Sequence, residues 1–215
     1  MKIKWLGHAA FLISSAEGIK VITDPYSVGS GLSYGKIDEP ADIVTVSHDH
    51  FDHNNAGEVP GKPEVVEGSG SKRVKGIEFL GIPCYHDEAQ GGQRGPNTIF
   101  CFAVDNVRIC HLGDLGHRLS ADQVAQIGEV DVLFIPVGGF YTIDAALASE
   151  VSDQLRPRVV IPMHFKTAKC DFPITGVEEF LRGKALVQRT GGSEVELVAG
   201  KLPGPGQVVV LEPTL

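Results

Sequence analysis

The sequence predicts an α/β protein, and three observations carry that prediction. Short β-branched runs dominate the first half of the chain. Strand-like and helical periodicities alternate in the second half. No linker, repeat or low-complexity tract divides the 215 residues, so one domain over 1–215 is the simplest layout, long enough to bury a sizeable core.

The elements follow in order. Residues 2–6 alternate in polarity and read as a strand, broken by Gly7-His8. Residues 9–14 and 19–23 read as a hairpin turning at Ala16-Glu17-Gly18, and Asp24-Pro25 ends its second strand. Residues 26–40, rich in Gly and Ser, are expected to form a surface loop. The β-branched run 43–47 predicts a buried strand, and 65–66, 77–82, 99–104 and 107–112 predict further ones. Asp105-Asn106 is the expected turn between the last two. Ser120 is a good N-cap for a helix over 121–127. A buried strand over 130–137, a helix over 144–155 stopping before Pro157, a strand over 159–163 and a short helix over 176–181 complete the alternation. The tail alternates at Val195, Leu197 and 208–211 around a Pro/Gly loop.

Composition narrows the function classes. The chain is 42% hydrophobic and 21% charged, as ordinary globular proteins are. No apolar run approaches the ~20 residues of a membrane span, and Met-Lys-Ile-Lys-Trp-Leu-Gly-His lacks the pattern of a signal peptide, so a cytoplasmic location without membrane association is expected. A net charge of −8 repels phosphate backbones and argues against non-specific nucleic acid binding. A small-molecule substrate is the expected partner, and an anionic one is compatible with a site that holds divalent cations. The four cysteines (Cys84, Cys101, Cys110 and Cys170) form no CxxC pair and are expected to be reduced, with Cys101 and Cys110 buried in strands.

The chemistry concentrates in His48-Asp49-His50-Phe51-Asp52-His53, directly after the run 43–47. Neutral imidazole and carboxylate are the ligands that a borderline metal such as zinc takes. If the strand stays extended to His50, His48 and His50 point to the same side. Asp52 and His53 then enter a turn and can aim at a second position beside the first.

This segment resembles the HxHxDH signature of the metallo-β-lactamase superfamily, and the resemblance extends along most of the chain. His86 in Cys84-Tyr85-His86-Asp87, Asp114 in His111-Leu112-Gly113-Asp114 and His164 in Ile161-Pro162-Met163-His164 stand where that family has its third histidine, its aspartate and its last histidine. Gly7-His8, Thr23-Asp24-Pro25, Leu112-Gly113-Asp114 and His164 also resemble the branch containing the ascorbate-6-phosphate lactonase and other Zn-dependent hydrolases. The resemblance implies an αββα sandwich of two mixed sheets flanked by helices. It also implies a centre of two divalent metal ions, zinc with manganese as the alternative. His48, His50 and His86 would hold one ion, Asp52, His53 and His164 the other, and Asp114 would bridge them. The iron oxidoreductase branch resembles HxExDH; His50 at that position favours zinc and hydrolysis. The implied reaction is attack by a bridging hydroxide, oriented by Asp52, on a small-molecule ester, lactone or similar bond. A phosphodiesterase or nuclease of the same fold and a non-catalytic metal-binding protein are the alternatives; the lack of spare length and of a basic surface weighs against the first.

Other residues are read around this set. Gly113 is expected to let the backbone approach the metals. His111 falls on the strand face opposite Asp114 and is expected to pack or to support. His8 and Asp24 are expected to hold metal-bound side chains in place, an Asx turn with Pro25 being the competing use of Asp24. His117, three residues beyond Asp114, is expected to bind substrate or donate a proton, or else to be a surface histidine. Tyr141 and Lys166 are expected substrate contacts. Gly91-Gly92-Gln93-Arg94-Gly95 lacks the strand-helix context of a nucleotide fingerprint and reads as a mobile loop near the site.

Overall fold

Side chains alternate between the faces of a strand, and in the N-terminal strands both faces are apolar. The computed structural model describes residues 1–215. β1 (Lys2–Gly7), β2 (Ala10–Ser14), β3 (Lys20–Thr23), β4 (Ile43–Val46) and β5 (Glu64–Glu67) join the late strand β13 (Glu194–Glu196) in a six-stranded sheet ordered β13-β1-β2-β3-β4-β5. Ile3, Trp5, Phe11, Ile13, Val21 and Ile43 enter the main core, whereas Leu6, Leu12, Ile22, Val44 and Val46 face a second cluster.

An eight-stranded sheet closes the main core from the other side, ordered β12-β14-β11-β10-β9-β8-β7-β6. Its strands are β6 (Gly70–Val74), β7 (Ile77–Tyr85), β8 (Pro96–Val104), β9 (Val107–His111), β10 (Val132–Pro136), β11 (Val159–Met163), β12 (Val187–Arg189) and β14 (Gln207–Val210). Phe11 of the first sheet meets Phe134 of β10 at 4.2 Å between ring centroids, and Trp5 meets Phe165 at 5.1 Å. Each such side chain contributes about 1.5–3 kcal/mol by burial. The helices cover the second sheet: α1 (Ala121–Ile127) lies against β7, α2 (Ala145–Leu155) against β10, and α3 (Glu178–Leu181) against α2. Ser120 caps α1 in a reciprocal capping box with Gln123, and Asp144 caps α2 by accepting the Leu147 N–H. Asp105 and Asn106, at φ 51° and 60°, make the expected hairpin turn. No helix is long and apolar enough to cross a membrane.

Several expectations need correction. Residues 26–40 are not merely a surface loop: Tyr26, Leu32, Tyr34 and Ile37 are buried in the second cluster and cover the outer face of the first sheet. Their spacing among glycines and serines has no period that would reveal this. β6 and β12 were not expected. Both are edge strands with mostly exposed polar residues, so neither carries an apolar pattern. β7 and β8 run past 82 and begin before 99, which shortens the segment carrying His86 to residues 86–95.

Strand direction gathers the chemistry at one end. β1 and β2 are antiparallel, as are β2 and β3, while β3 and β4 are parallel; β1, β3 and β4 therefore share one sense. By the same reasoning β7, β9, β10 and β11 share one sense in the second sheet. His8, Asp24, the His48–His53 segment, His86, Asp114 and His164 all follow the C-terminal ends of these strands. That end is where open α/β sheets build their sites.

Candidate metal centre

Four imidazoles converge on one carboxylate. Asp114 Oδ2 lies 3.1 Å from His86 Nε2, 3.2 Å from His53 Nε2, 3.2 Å from His164 Nε2 and 3.9 Å from His48 Nε2. On one side, donor atoms of His48, His50 and His86 lie within 4.8 Å of one another; on the other, those of Asp52, His53 and His164 do, together with His8. A third set, Asp24, His48 and His53, takes one ring from each side.

Outer contacts fix the imidazoles. Asp24 accepts the Ser47 N–H at 2.8 Å, the Ser47 hydroxyl at 2.5 Å and His53 Nδ1–H at 2.9 Å. Ser47 Oγ in turn accepts His48 Nδ1–H at 2.9 Å. One buried carboxylate thus sets two rings and leaves both Nε2 atoms pointing at Asp114. The Asp24 carboxylate is spent on Ser47 and His53 rather than on an Asx turn. His8 Nε2–H donates to Asp52 Oδ2 at 3.1 Å. His8, Asp24 and His164 hold left-handed φ values of 52°, 37° and 50° just past strand ends. Such backbone costs about 1–3 kcal/mol per residue, which the surrounding packing offsets.

Protonation follows burial and neighbours. Burial pushes His48 down to about 3 and His8 down to about 4, so both rings are neutral at working pH. Burial opposes ionisation of Asp114, yet His164 and His53 hold its carboxyl well below the usual range. Asp52 is lowered in the same way, against burial, by His53 and His8. Burial also opposes a charge on His53, but Asp114 and Asp52 outweigh it and raise its pKa.

The donor set fits a divalent cation. Asp114 Oδ1 is buried and makes no hydrogen bond. Such an orphan costs about 1–3 kcal/mol unless something pairs with it. Imidazole nitrogens and carboxylate oxygens, with no thiolate, suit zinc or manganese.

A cavity of about 560 Å³ opens onto this set, lined by His50, Asp52, His86, Asp114 and His164 and walled by Phe51, Phe172, Tyr141 and Arg94. Tyr141 therefore stands where a substrate contact was expected. His117 does not. Its Nε2 accepts the Tyr85 N–H at 3.1 Å and its Nδ1–H donates to Arg118 O at 2.8 Å, so the ring is tied to main chain and lines no part of the cavity. Lys166 is also withdrawn: its Nζ donates to Phe172 O at 3.0 Å, bracing the loop that carries Phe172. His111 packs, donating Nε2–H to Ala9 O and accepting the Gly113 N–H. Asp87 is fully used by backbone N–H groups and joins no metal group. Gly113 sits tightly against its neighbours. A Cβ there would lie 2.4 Å from Asn97 Oδ1 and 2.6 Å from Ser47 Cβ, at φ +54°.

Sequence reasoning missed Ser47 and Asn97. Asn97 Oδ1 accepts the Asp114 N–H at 3.1 Å, and its Nδ2 donates to Leu112 O and Cys84 Sγ. A buried asparagine in an apolar strand is the signal that was available. Arg94, in the glycine-rich segment 91–95, is a further cavity residue that no sequence pattern marks.

Two mixed sheets with helices on the second sheet only, the expected helix layer on the first being replaced by residues 26–40, and a histidine–aspartate cluster at the strand ends define an α/β sandwich with a candidate metal site. The model of the beta-lactamase superfamily domain matches residues 2–164, and the chain belongs to the metallo-β-lactamase superfamily. Within it the chain falls among the metal-dependent hydrolases. It is 31% identical to a UPF0173 metal-dependent hydrolase of Carboxydothermus hydrogenoformans, over 98% of this chain and 100% of the relative. It is 30% identical to another of Archaeoglobus fulgidus, over 95% and 97%. A crystal structure from Thermotoga maritima, described as a candidate Zn-dependent hydrolase of the same superfamily, superimposes with a TM-score of 0.82 at 38% identity over 98% of each chain.

Asp24→Asn tests the support. The amide keeps the size but turns an N–H₂ toward donors that Asp24 now accepts. Metal affinity should fall about 10–100-fold, the usual effect of losing such a partner, measured by competition with a chromogenic chelator. Unchanged affinity would remove Asp24 from the scheme.

Proposed function

We propose that this hydrolase holds two divalent cations, zinc or manganese, and cleaves an ester, lactone or related bond of a small molecule. The convergence of His48, His53, His86 and His164 on Asp114 Oδ2, between two donor groups, carries this reading. His48, His50 and His86 would hold one cation, Asp52, His53 and His164 the other, with Asp114 shared. When bound, the cations supply Lewis acidity toward the scissile group and a nucleophile at neutral pH.

The chain's own residues do the rest. Asp52, kept ionised and braced by His8, orients the nucleophile. Phe51, Phe172 and Tyr141 form an apolar wall that receives the body of the substrate. Four free cysteines, three of them buried, support action in a reducing compartment such as the cytoplasm.

Elemental analysis of wild type against His164→Ala tests the centre. We expect about two metals per chain falling to about one, with loss of hydrolysis in a screen that begins with lactones. A wild type that takes up neither zinc nor manganese would sink the reading.

A further inference from the structure

Arg94 is the one arginine or lysine lining the cavity beside the cluster. Its position is built from the backbone upward. Asp87, buried next to His86, accepts the N–H groups of Ala89, Gly91, Gln93 and Arg94 at 2.8, 2.9, 3.0 and 2.7 Å. One carboxylate thus fastens the glycine-rich turn 89–95. From it the Arg94 guanidinium lies 5.6 Å from the centre of the Tyr141 ring and donates Nη2–H to Phe140 O at 3.0 Å. It takes no part in the ion pairs that occupy Arg108, Arg118, Arg158 and Arg189. A guanidinium carries five N–H donors, and the Phe140 contact engages one nitrogen. Tyr141 continues into Phe172 at 5.7 Å and Phe172 into Phe51 at 6.4 Å, an unbroken aromatic wall starting at Arg94.

We propose that Arg94 selects substrates that carry an anionic group, carboxylate or phosphate, beside an apolar body resting on Tyr141, Phe172 and Phe51. This deepens the hydrolase reading and rests on it. The planar fork of arginine matches either anion with paired N–H donors. The contacts to Tyr141 and Phe140 hold it in place beforehand, so little side-chain freedom is lost on binding. In a chain of net charge −8, with Asp49, Asp52 and Asp114 also lining the cavity, a cation free of carboxylate partners adds to the bound metals a fixed group that turns an anion toward this wall.

The test compares zinc-loaded wild type, Arg94→Gln and Arg94→Lys on phenyl acetate, 4-acetoxybenzoate and 4-acetoxyphenyl phosphate. The readout is the ratio of kcat/KM for a charged ester over the uncharged one. Wild type should favour a charged ester. Arg94→Gln should lower the ratio about tenfold or more, and lysine should recover part of it. The two charged esters distinguish carboxylate from phosphate. A role confined to holding the loop would scale all three esters alike; an unmoved ratio overturns the proposal. Calorimetry with benzoate, phenyl phosphate and phenol gives a readout independent of turnover. If no ester is cleaved but Arg94→Gln loses anion selectivity in binding, the hydrolase reading falls and Arg94 stands. If wild type shows no preference for the anions over phenol, the proposal fails whatever the turnover.

Discussion

Asp114→Ala is expected to lose bound metal and hydrolysis together in the same preparation. Asp114 Oδ2 lies nearest to three imidazole nitrogens, and its Oδ1 is buried without a hydrogen bond. Asp24 also reaches one ring of each donor group, but from behind, through Ser47 and His53 Nδ1. Two cations side by side repel, and the shared carboxylate offsets that repulsion. The loss of activity should therefore exceed the about 10–100-fold typical of removing an outer partner. Folding should suffer less. Breaking a buried ion pair costs about 3–5 kcal/mol when the abandoned charge must persist. Here the abandoned groups are His53 and His86, whose raised pKa values depend on Asp114. Without it, burial favours their neutral forms and the protons leave. Urea denaturation of the metal-free proteins should show a smaller loss than that range. Metal-free Asp114→Ala with full activity would contradict the two-cation scheme.

What the sequence made legible depended on whether the chemistry was local. His48, His50, Asp52 and His53 stand within six residues after an apolar strand, so residue type and spacing suffice to find them. His86, Asp114 and His164 became legible through the resemblance, because each follows its own strand. The supporting residues depend on register. Asn97 reaches Asp114 from β8, where it stands across from Cys84, and no local pattern announces that pairing. His117 failed for the complementary reason. Three residues from Asp114 along the chain, it is carried away from the centre as Gly116 bonds to Tyr85 O and His117 caps the Tyr85 N–H. Arg94 sat in a segment read only for its glycines. Its meaning appears once Asp87 is seen to fold that segment beside the cavity.

The same turn yields the second large expected effect, Gly116→Ala. A Cβ on Gly116 would lie 2.2 Å from His86 C, 2.3 Å from Asp87 N and 2.4 Å from His86 O. These neighbours are main chain and cannot swing away as a side-chain tip can. They are also tied down: Gly116 N–H donates to Tyr85 O at 3.0 Å, and His86 N–H donates to Gly95 O at 3.1 Å. Room for one methyl must come from moving His86, and with it a donor of the His48–His50–His86 group. Overpacking of this kind costs about 1–3 kcal/mol. We expect that loss of stability, with zinc content falling toward one per chain as the first group fails and the Asp52–His53–His164 group persists. Gly176→Ala is the control, since a Cβ there meets nothing within 4 Å; its stability should change by less than about 0.5 kcal/mol. The comparison separates a general dislike of added methyl groups from a specific wedge behind His86. Gly116→Ala with wild-type melting temperature and full metal content would mean that the segment yields more easily than its hydrogen bonds imply, and that His86 is not held in place from behind.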